Sequence, residues 1–466
     1  MRPRTIFESL SRRAYWRSLS EPQLFVGSFL LLIALGTLGF LLLPGLYAGA
    51  PLTFLDALFT ATSAVCVTGL IVVDTATFFT PFGQAYILFL IQLGGLGIIT
   101  FTTLIITALG LRLSLRQEGI ARVAVRPAPH LDHRRLTRHV VTFTLLMEAA
   151  GAALLYLFWI PSYGFAGAAW PALFHSISAF CNAGFSIFSD SLVGFTDRPA
   201  ILTIIMALIV LGGLGFLVIE EIYLLRKSVK RGNTFRLSLH SRIVLVTTGV
   251  LIVGGWILFS TFEWNVSFAA LGTFDKLMNG LFLSVTSRTA GFNTIDYATA
   301  ANNTDFLTIL LMTIGGSPGS MAGGMKTTTF AIIGLLAWSR MRGLPVLSLA
   351  NRSVPDETVQ RAVGVFVLVF SLTTAAIFIF TSTELGWIDY TDSAGFLPFM
   401  FEAASAFNTV GLSMGVTPEL STAGRLTAIA LMFVGRVGPL TFAATLARRH
   451  ASHASFHYAY ENVGLG

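Results

Sequence analysis

The sequence predicts an all-α integral membrane protein: four covalently linked membrane–pore-helix–membrane repeats around a central pore, with eight transmembrane spans. Three observations predict it. The chain is 54% hydrophobic and 11% charged, against about 25% charged residues in soluble domains. Eight apolar runs are of the length, ~20 residues, that a bilayer core requires. Between the runs a short motif ending in glycine recurs four times, and a pattern repeated at a near-constant interval marks a fold built from repeated units.

The spans come in pairs. The first repeat, 22–111, holds two runs free of Asp, Glu, Lys and Arg, 22–55 and 75–111. The second, 139–226, offers 139–160, with Glu148 inside, and 199–219. The third, 243–340, offers 243–262 and 306–325. The fourth, 361–447, offers 362–383 and 426–447, the latter enclosing Arg436. Residues 1–21 and 448–466 remain as terminal segments. Bases crowd the termini and the links between repeats: Arg12, Arg13 and Arg17, then Arg112 to Arg138, Arg226 to Arg242, Arg340 to Arg361, and Arg448 and Arg449. Acids dominate the segments between paired spans, among them Asp56, Asp74, Asp190, Glu263, Asp305, Glu384 and Glu419. By the positive-inside rule both termini are cytoplasmic and the glycine motifs open outward. The net charge of +7 is then an orienting collar, not a nucleic-acid surface. The apolar run at 24–43 exceeds the 7–15 residues of a typical signal-peptide core and reads as a retained span.

The recurring motif is Cys66-Val67-Thr68-Gly69, Cys181-Asn182-Ala183-Gly184, Arg288-Thr289-Ala290-Gly291 and Asn408-Thr409-Val410-Gly411. Phe59, Phe174, Leu281 and Phe401 stand ten residues before the glycines, and Ser63, Ser178, Val285 and Ser405 six before. The stretch ahead of each motif is too short to cross a bilayer, so it reads as a half-helix that re-enters the membrane and ends in an extended loop. Backbone leaves regular structure at membrane depth only where it is buried in protein or lines water. Four such loops on one axis would present carbonyl oxygens that replace the hydration shell of a monovalent cation. Glycine supplies the positive φ this requires, the half-helix aims its negative end at the axis, and the acidic outer face concentrates cations. One such glycine would read as a turn or a close helix contact; four in register favour the pore. The two cysteines, Cys66 and Cys181, share a motif position. A disulfide is conceivable, but equivalent positions around an axis favour lining residues.

Charged and glycine-rich features inside the spans point to an inner constriction. Arg288 precedes Gly291 by three residues, where a bare guanidinium would repel a cation; the favoured reading places it behind the loop as a brace. His175 and Glu402, each nine residues before a motif glycine, are candidate partners, and Glu402 reads equally well as a solvated acid. Each second span carries a glycine cluster. Those at Gly94-Gly95-Leu96-Gly97 and Gly212-Gly213-Leu214-Gly215 read as close helix packing. The third, Gly315-Gly316-Ser317-Pro318-Gly319-Ser320 through Gly323, Gly324 and Lys326, is too rich in Gly and Pro to remain helical. It reads as a mobile loop across the path. Lys326 reads first as an anchor snorkelling to the interface and second as a charge in the path. Arg436, in mid-span, is either half of a buried ion pair or an electrostatic barrier that contacts the loop.

Thr68-Gly69-Leu70, Asn182-Ala183-Gly184-Phe185, Ser287-Arg288-Thr289-Ala290-Gly291-Phe292-Asn293 and Asn408-Thr409-Val410-Gly411-Leu412 resemble the Trk/Ktr/HKT superfamily of cation transporters, over nearly the whole chain. With eight spans and a glycine-ended tail, Gly464-Leu465-Gly466, the chain is most similar to the membrane subunits of Ktr systems. The resemblance implies K+ uptake across the cytoplasmic membrane through a channel-like path, with an intramembrane gating loop. It also implies a homodimer docked on a cytoplasmic ring of nucleotide-binding, RCK-type regulatory subunits. Sodium, alone or with potassium, is the alternative cargo. Glycine at all four motif ends favours potassium, because in plant members serine at the first goes with sodium.

Other classes fit poorly. Four parallel repeats differ from the inverted repeats of rocking transporters. No His-Glu-x-x-His motif or carboxylate pair sits in a span, so no enzyme is expected. The glycine cluster at 315–324 follows no strand, so it is not a phosphate loop. No organic cofactor is expected, and nucleotide control would come from a partner. The basic links and the tail around 450–460 would dock that partner or anionic membrane lipid.

Overall fold

Apolar residues recurring at helical spacing over long runs form helices, and the computed structural model of the chain is helical nearly throughout. It describes residues 21–108, 133–230, 237–344, 347–349, 352–384 and 396–438. The expected cytoplasmic N-terminus (1–20), most of the first basic link, the tail (448–466) and the end of the last span (439–447) lie outside the described residues.

The helices follow in the expected order. α1 is Glu21–Leu42, α2 Phe54–Val65 and α3 Pro81–Ala108. α4, His133–Phe180, turns at Gly164, whose φ is 70°. α5 is Pro199–Gly213 and α6 Phe216–Lys230; α7 is Leu239–Glu263, α8 Thr273–Thr286, α9 Asn302–Thr313 and α10 Thr327–Met341. α11 is Asp356–Glu384, α12 Phe396–Asn408 and α13 Thr422–Val437. A two-stranded antiparallel ladder, β1 Ser348–Leu349 and β2 Arg352–Ser353, lies between α10 and α11. Among the described residues four helices are each long and apolar enough to cross a bilayer, and the bent α5–α6 pair makes a fifth.

Burial sorts the helices into two classes. α1 turns Val26, Phe29, Ile33 and Phe40 inward and leaves Leu30, Leu31, Leu35, Leu38 and Leu42 exposed. α7 and α11 likewise expose Val246, Val250, Ile257, Phe366, Phe370 and Phe378. Helices apolar on their outer faces suit a hydrocarbon surround. The short helices α2, α8 and α12 bury most of their residues. They are the inner layer.

The layers close into a ring. α3 packs on α4, α5 on α8, α9 on α12, and α13 on α2, so the helix that follows each glycine motif touches the helix leading into the next one. Arg425 of α13 and Asp56 of α2 form an ion pair at 2.5 Å, joining the last described helix to the helix before the first motif. Glycines set the inner packing. A Cβ on Gly94, Gly212 or Gly435 would run into the carbonyl oxygen of Val65, Phe180 or Phe407 respectively. Each of those carbonyls belongs to the residue four before its motif glycine, so the close-packing reading of the first two clusters is correct in geometry.

Two expected spans are not continuous. The run at 199–219 breaks between Gly213 and Phe216, where α5 and α6 meet at 100° and Gly215 takes a φ of +85°. The second glycine cluster therefore does more than pack. The run at 306–325 stays helical only to Thr313, and residues 314–326 form a loop before α10 begins. Glycines and Pro318 remove helix stability there at about 1 and 3 kcal/mol each. Gly94→Ala, Gly212→Ala and Gly435→Ala are each expected to lower stability by about 1–3 kcal/mol through overpacking. Gly249→Ala, whose Cβ meets open space, is expected to match or slightly exceed the parent. Thermal unfolding in detergent measures both.

Candidate functional site

The four motifs adopt one backbone course. Two residues before each glycine, Val67, Asn182, Thr289 and Thr409 have φ of 55°, 58°, 72° and 51°. The glycines Gly69, Gly184, Gly291 and Gly411 have φ of 94°, 70°, 82° and 95°. Positive φ at a non-glycine residue is uncommon, and four instances at one register show that each loop is held by its surroundings.

Short side chains do the holding. Ser63 Oγ donates to Leu70 O at 2.7 Å and accepts from Gly69 N at 3.1 Å, spanning its own loop. Ser178 Oγ donates to Phe185 O at 2.7 Å, and Ser405 Oγ accepts from Gly411 N at 3.1 Å. In the third motif Val285 occupies the serine position, and Thr286 Oγ1, one residue later, donates to Phe292 O at 2.6 Å. The helix end shifts to match. Thr68, Ala183 and Val410 donate their N–H to carbonyls five residues back, whereas Ala290 donates to Thr286 O, four back.

The loops meet one another head to tail. A Cβ on Gly69 would strike Ala183 O; on Gly184 it would lie 2.8 Å from Ala290 O; on Gly291 it would strike Val410 O; on Gly411, Thr68 O. Each missing side chain is replaced by the carbonyl just before the next motif's glycine. The Cβ positions of Gly184, Gly291 and Gly411 would also lie 2.9–3.0 Å from the Cα of Gly291, Gly184 and Gly69. The four glycines therefore form one closed ring of backbone.

Side chains behind the ring differ from expectation in several places. Cys66 and Cys181 are free and fully buried. Cys181 Sγ faces Gln92 Oε1 and Glu148 Oε1, both at 3.7 Å, and Gln92 Nε2 donates to Glu148 Oε2 at 3.1 Å. The Cys181 side chain is thus tied into a buried polar cluster. Glu402 is fully buried, not solvated. It accepts from Ser413 Oγ at 2.9 Å and from Thr417 Oγ1. His175 pairs with Ser186 Oγ and Pro171 O, both at 2.9 Å. Neither reaches Arg288. Both instead tie the helix to the residue two past the motif glycine, a brace between helix and loop.

Below the ring lies the loop 314–326. Its neck is closed by Gly315 N donating to Met325 O at 2.8 Å. It lodges in the α5–α6 break: Ser317 N donates to Gly213 O at 3.0 Å, Met321 N to Gly212 O at 3.1 Å, and Phe216 N to Gly319 O at 3.2 Å. Gly323 and Gly324 abut Thr409 and Asn408 of the fourth motif. Arg436 donates from Nη1 to Met321 O, and from Nη2 to Gly94 O at 2.8 Å. Among the described residues Arg436 has no carboxylate partner; its contacts are carbonyls, one of them on the loop. Lys326 turns back onto the loop, donating to Ala322 O at 2.7 Å; it is not an anchor reaching for the interface. Sequence reasoning missed Gln92, Thr286 and the seat at Gly212–Gly215. The spacing of Thr286 differs by one from the serines, and that offset was the available signal.

The chain is also similar, over most of its length, to known proteins. The TrkH family model, described as a cation transport protein, matches residues 23–458. This chain belongs to the TrkH family. Among its relatives are the "Ktr system potassium uptake protein B" of Vibrio alginolyticus, 38% identical over 92% of this chain and 91% of that one, and its Bacillus subtilis namesake, 38% identical over 95% and 96%. The "Potassium/sodium uptake protein NtpJ" of Enterococcus hirae is 36% identical over 98% of this chain and all of that one. The crystal structure of the potassium transporter TrkH from Vibrio parahaemolyticus superposes with a TM-score of 0.71, covering 92% of this chain and 86% of that one, at 19% identity. That similarity concerns the fold. Membership makes this TrkH-family chain a multi-pass membrane transport protein.

Loss of a loop brace is expected to loosen one motif without unfolding the bundle. Thr286→Val and Ser63→Ala should each lower stability by about 0.5–1.5 kcal/mol, the net value of one hydrogen bond. Thr286→Ser should retain it. Thermal unfolding of the purified variants measures the difference.

Proposed function

We propose that this chain conducts potassium ions into the cell across the cytoplasmic membrane, along the axis of the four-glycine ring. One observation carries the reading: Gly69, Gly184, Gly291 and Gly411 form a closed ring in which each glycine abuts the carbonyl preceding the next. Such a ring brings carbonyl oxygens together where a cation sheds its water. The hydroxyls of Thr68, Thr289 and Thr409 are buried there with no protein partner, as befits a path shared with ions and water. The flanking residues, Cys66 and Val67, Asn182 and Ala183, Ala290, Asn408 and Val410, supply the backbone that holds the ring. The relatives titled as potassium uptake proteins support potassium as the cargo. NtpJ, titled as a potassium/sodium uptake protein, supports mixed K+/Na+ transport as the second reading.

In this reading four membrane–pore-helix–membrane repeats supply eight spans, and both termini are cytoplasmic. The loop Gly315–Lys326 is the inner gate. It is pinned from three sides: by the α5–α6 break, by Arg436 and by its own Lys326. Arg436 holds the loop shut and adds a positive barrier beneath the ring. The Ktr-titled relatives are named as parts of systems, which supports a partner subunit; in this reading a homodimer of this chain sits on a ring of nucleotide-binding subunits that act on the gate.

Expression in a bacterium lacking potassium uptake tests the cargo. Growth should recover at low K+; recovery only when Na+ is present would favour the mixed reading, and no recovery with or without a co-expressed regulatory subunit would count against transport. Deleting Gly319–Gly323, or replacing Arg436→Gln, should raise K+ flux in proteoliposomes by about tenfold, the factor that 1.36 kcal/mol of barrier represents. Unchanged flux in a folded deletion variant would remove the loop as gate.

A further inference from the structure

An apolar groove of about 450 Å3 runs between α7 and α10, with Leu349 of β1 at its edge. Ile243, Val246 and Val250 line the α7 wall, and Phe330 and Gly334 the α10 wall. The walls are accessible. Val246 is 64% exposed and Val250 66%, and a Cβ on Gly334 would meet nothing within 4 Å. One charged residue joins this lining, Arg242 in the second turn of α7. Its side chain is exposed, and among the described residues it has no ion-pair partner.

The dimensions match half a bilayer. From Arg242 to Leu251, the deepest α7 residue in the lining, the helix rises about 14 Å, close to half of a ~30 Å hydrocarbon core. A cation therefore stands at the depth of a headgroup, with one leaflet's depth of apolar wall beyond it. The cation also lies near the start of α7, where the helix dipole favours negative charge. Ordinary bilayer lipid wets any apolar wall; the charge at headgroup depth is what selects among lipids. A second groove along α7, about 480 Å3 and lined by Trp256, Ile257 and Leu277, has no basic residue in its lining and serves as an internal comparison.

We propose that an anionic phospholipid binds in the α7–α10 groove, its phosphate on Arg242 and one acyl chain lying along the walls to Leu251. In the orientation proposed above the start of α7 is cytoplasmic, so the lipid comes from the cytoplasmic leaflet, the one rich in anionic headgroups. The naming of the leaflet rests on that reading; the site does not. The bound chain fills space that the two helices leave between them and gains close packing there. α10 begins one residue past the end of the inner loop, so the lipid braces the helix onto which that loop leads.

Photolabelling of the full chain tests the site. The protein is placed in phosphatidylcholine nanodiscs with a trace of phosphatidylglycerol that carries a diazirine at the end of one acyl chain. Label should collect on residues 246–251 and exceed that on 256–261. Phosphatidylcholine bearing the same diazirine should label 246–251 about fivefold less, the ratio that one basic side chain confers at an anionic surface. Arg242→Gln should bring phosphatidylglycerol down to the phosphatidylcholine level. Gly334→Leu, which places a side chain in the groove and keeps Arg242, should lower the label on 246–251 for both lipids. Equal labelling of the parent by the two lipids overturns the proposal. So does an unlabelled 246–251 segment, the result expected if a second copy of the chain covers this face. Labelling requires no ion movement, so a chain that moves no cation leaves this test standing, and rubidium flux without lipid-selective labelling strikes the lipid site alone.

Discussion

The missing Cβ of each ring glycine is occupied by a neighbour's backbone. Ala183 O, Ala290 O, Val410 O and Thr68 O stand where the side chains of Gly69, Gly184, Gly291 and Gly411 would begin. That steric constraint explains much else. The loops can close only if every entry helix ends at the same height, and this is what the repeated serine–carbonyl braces and the Gly94, Gly212 and Gly435 contacts secure. The contacts run head to tail, each glycine motif against the next, so the interface is heterologous and closes because the fourth motif returns to the first. Covalent linkage fixes the number of units, and Arg425–Asp56 fastens the seam.

A ring of four similar units invites symmetry, and the structure departs from it mainly in the third. Val285 replaces a serine and Thr286 takes over the brace. Arg288 stands where cysteine or asparagine stands elsewhere. The inner helix, continuous from Pro81 to Ala108 in the first repeat, becomes helix, loop and helix. Such breaks from local regularity collect where function is located. The loop 314–326 is stable at membrane depth because its polar backbone finds partners in the α5–α6 break and in Arg436 and Lys326, as the hydrocarbon surround demands. A segment held by a few such bonds, without a helix ladder of its own, can leave its seat at moderate cost.

Much of this was legible in the chain. Composition named the solvent, the apolar runs named long helices, and the four glycines announced loops in register. Gly315–Lys326 was readable as non-helical because five glycines and a proline in so short a stretch leave no alternative. Other features were not legible. The break in α5 carries a glycine run nearly identical to the one that stays helical in α3, Gly94-Gly95-Leu96-Gly97 against Gly212-Gly213-Leu214-Gly215. Only the second has the loop's carbonyls and amides beside it to satisfy an opened helix. The partners assigned to Arg288 were chosen by shared motif position, yet His175 and Glu402 turn toward their own outer lips, where a serine lies two residues past each glycine.

The sequence by itself determined the membrane class, the repeat and the positions where only glycine fits, because periodicity and the absence of a side chain are properties of local chain chemistry. Tertiary structure alone decided which carbonyl meets which glycine, what Arg436 and Lys326 hold, and that Arg288 is buried with no ionic partner among the described residues. Those outcomes depend on contacts between residues up to hundreds of positions apart, such as Arg436 with Gly94, and a buried charge chooses its partner by what the assembled fold brings within reach.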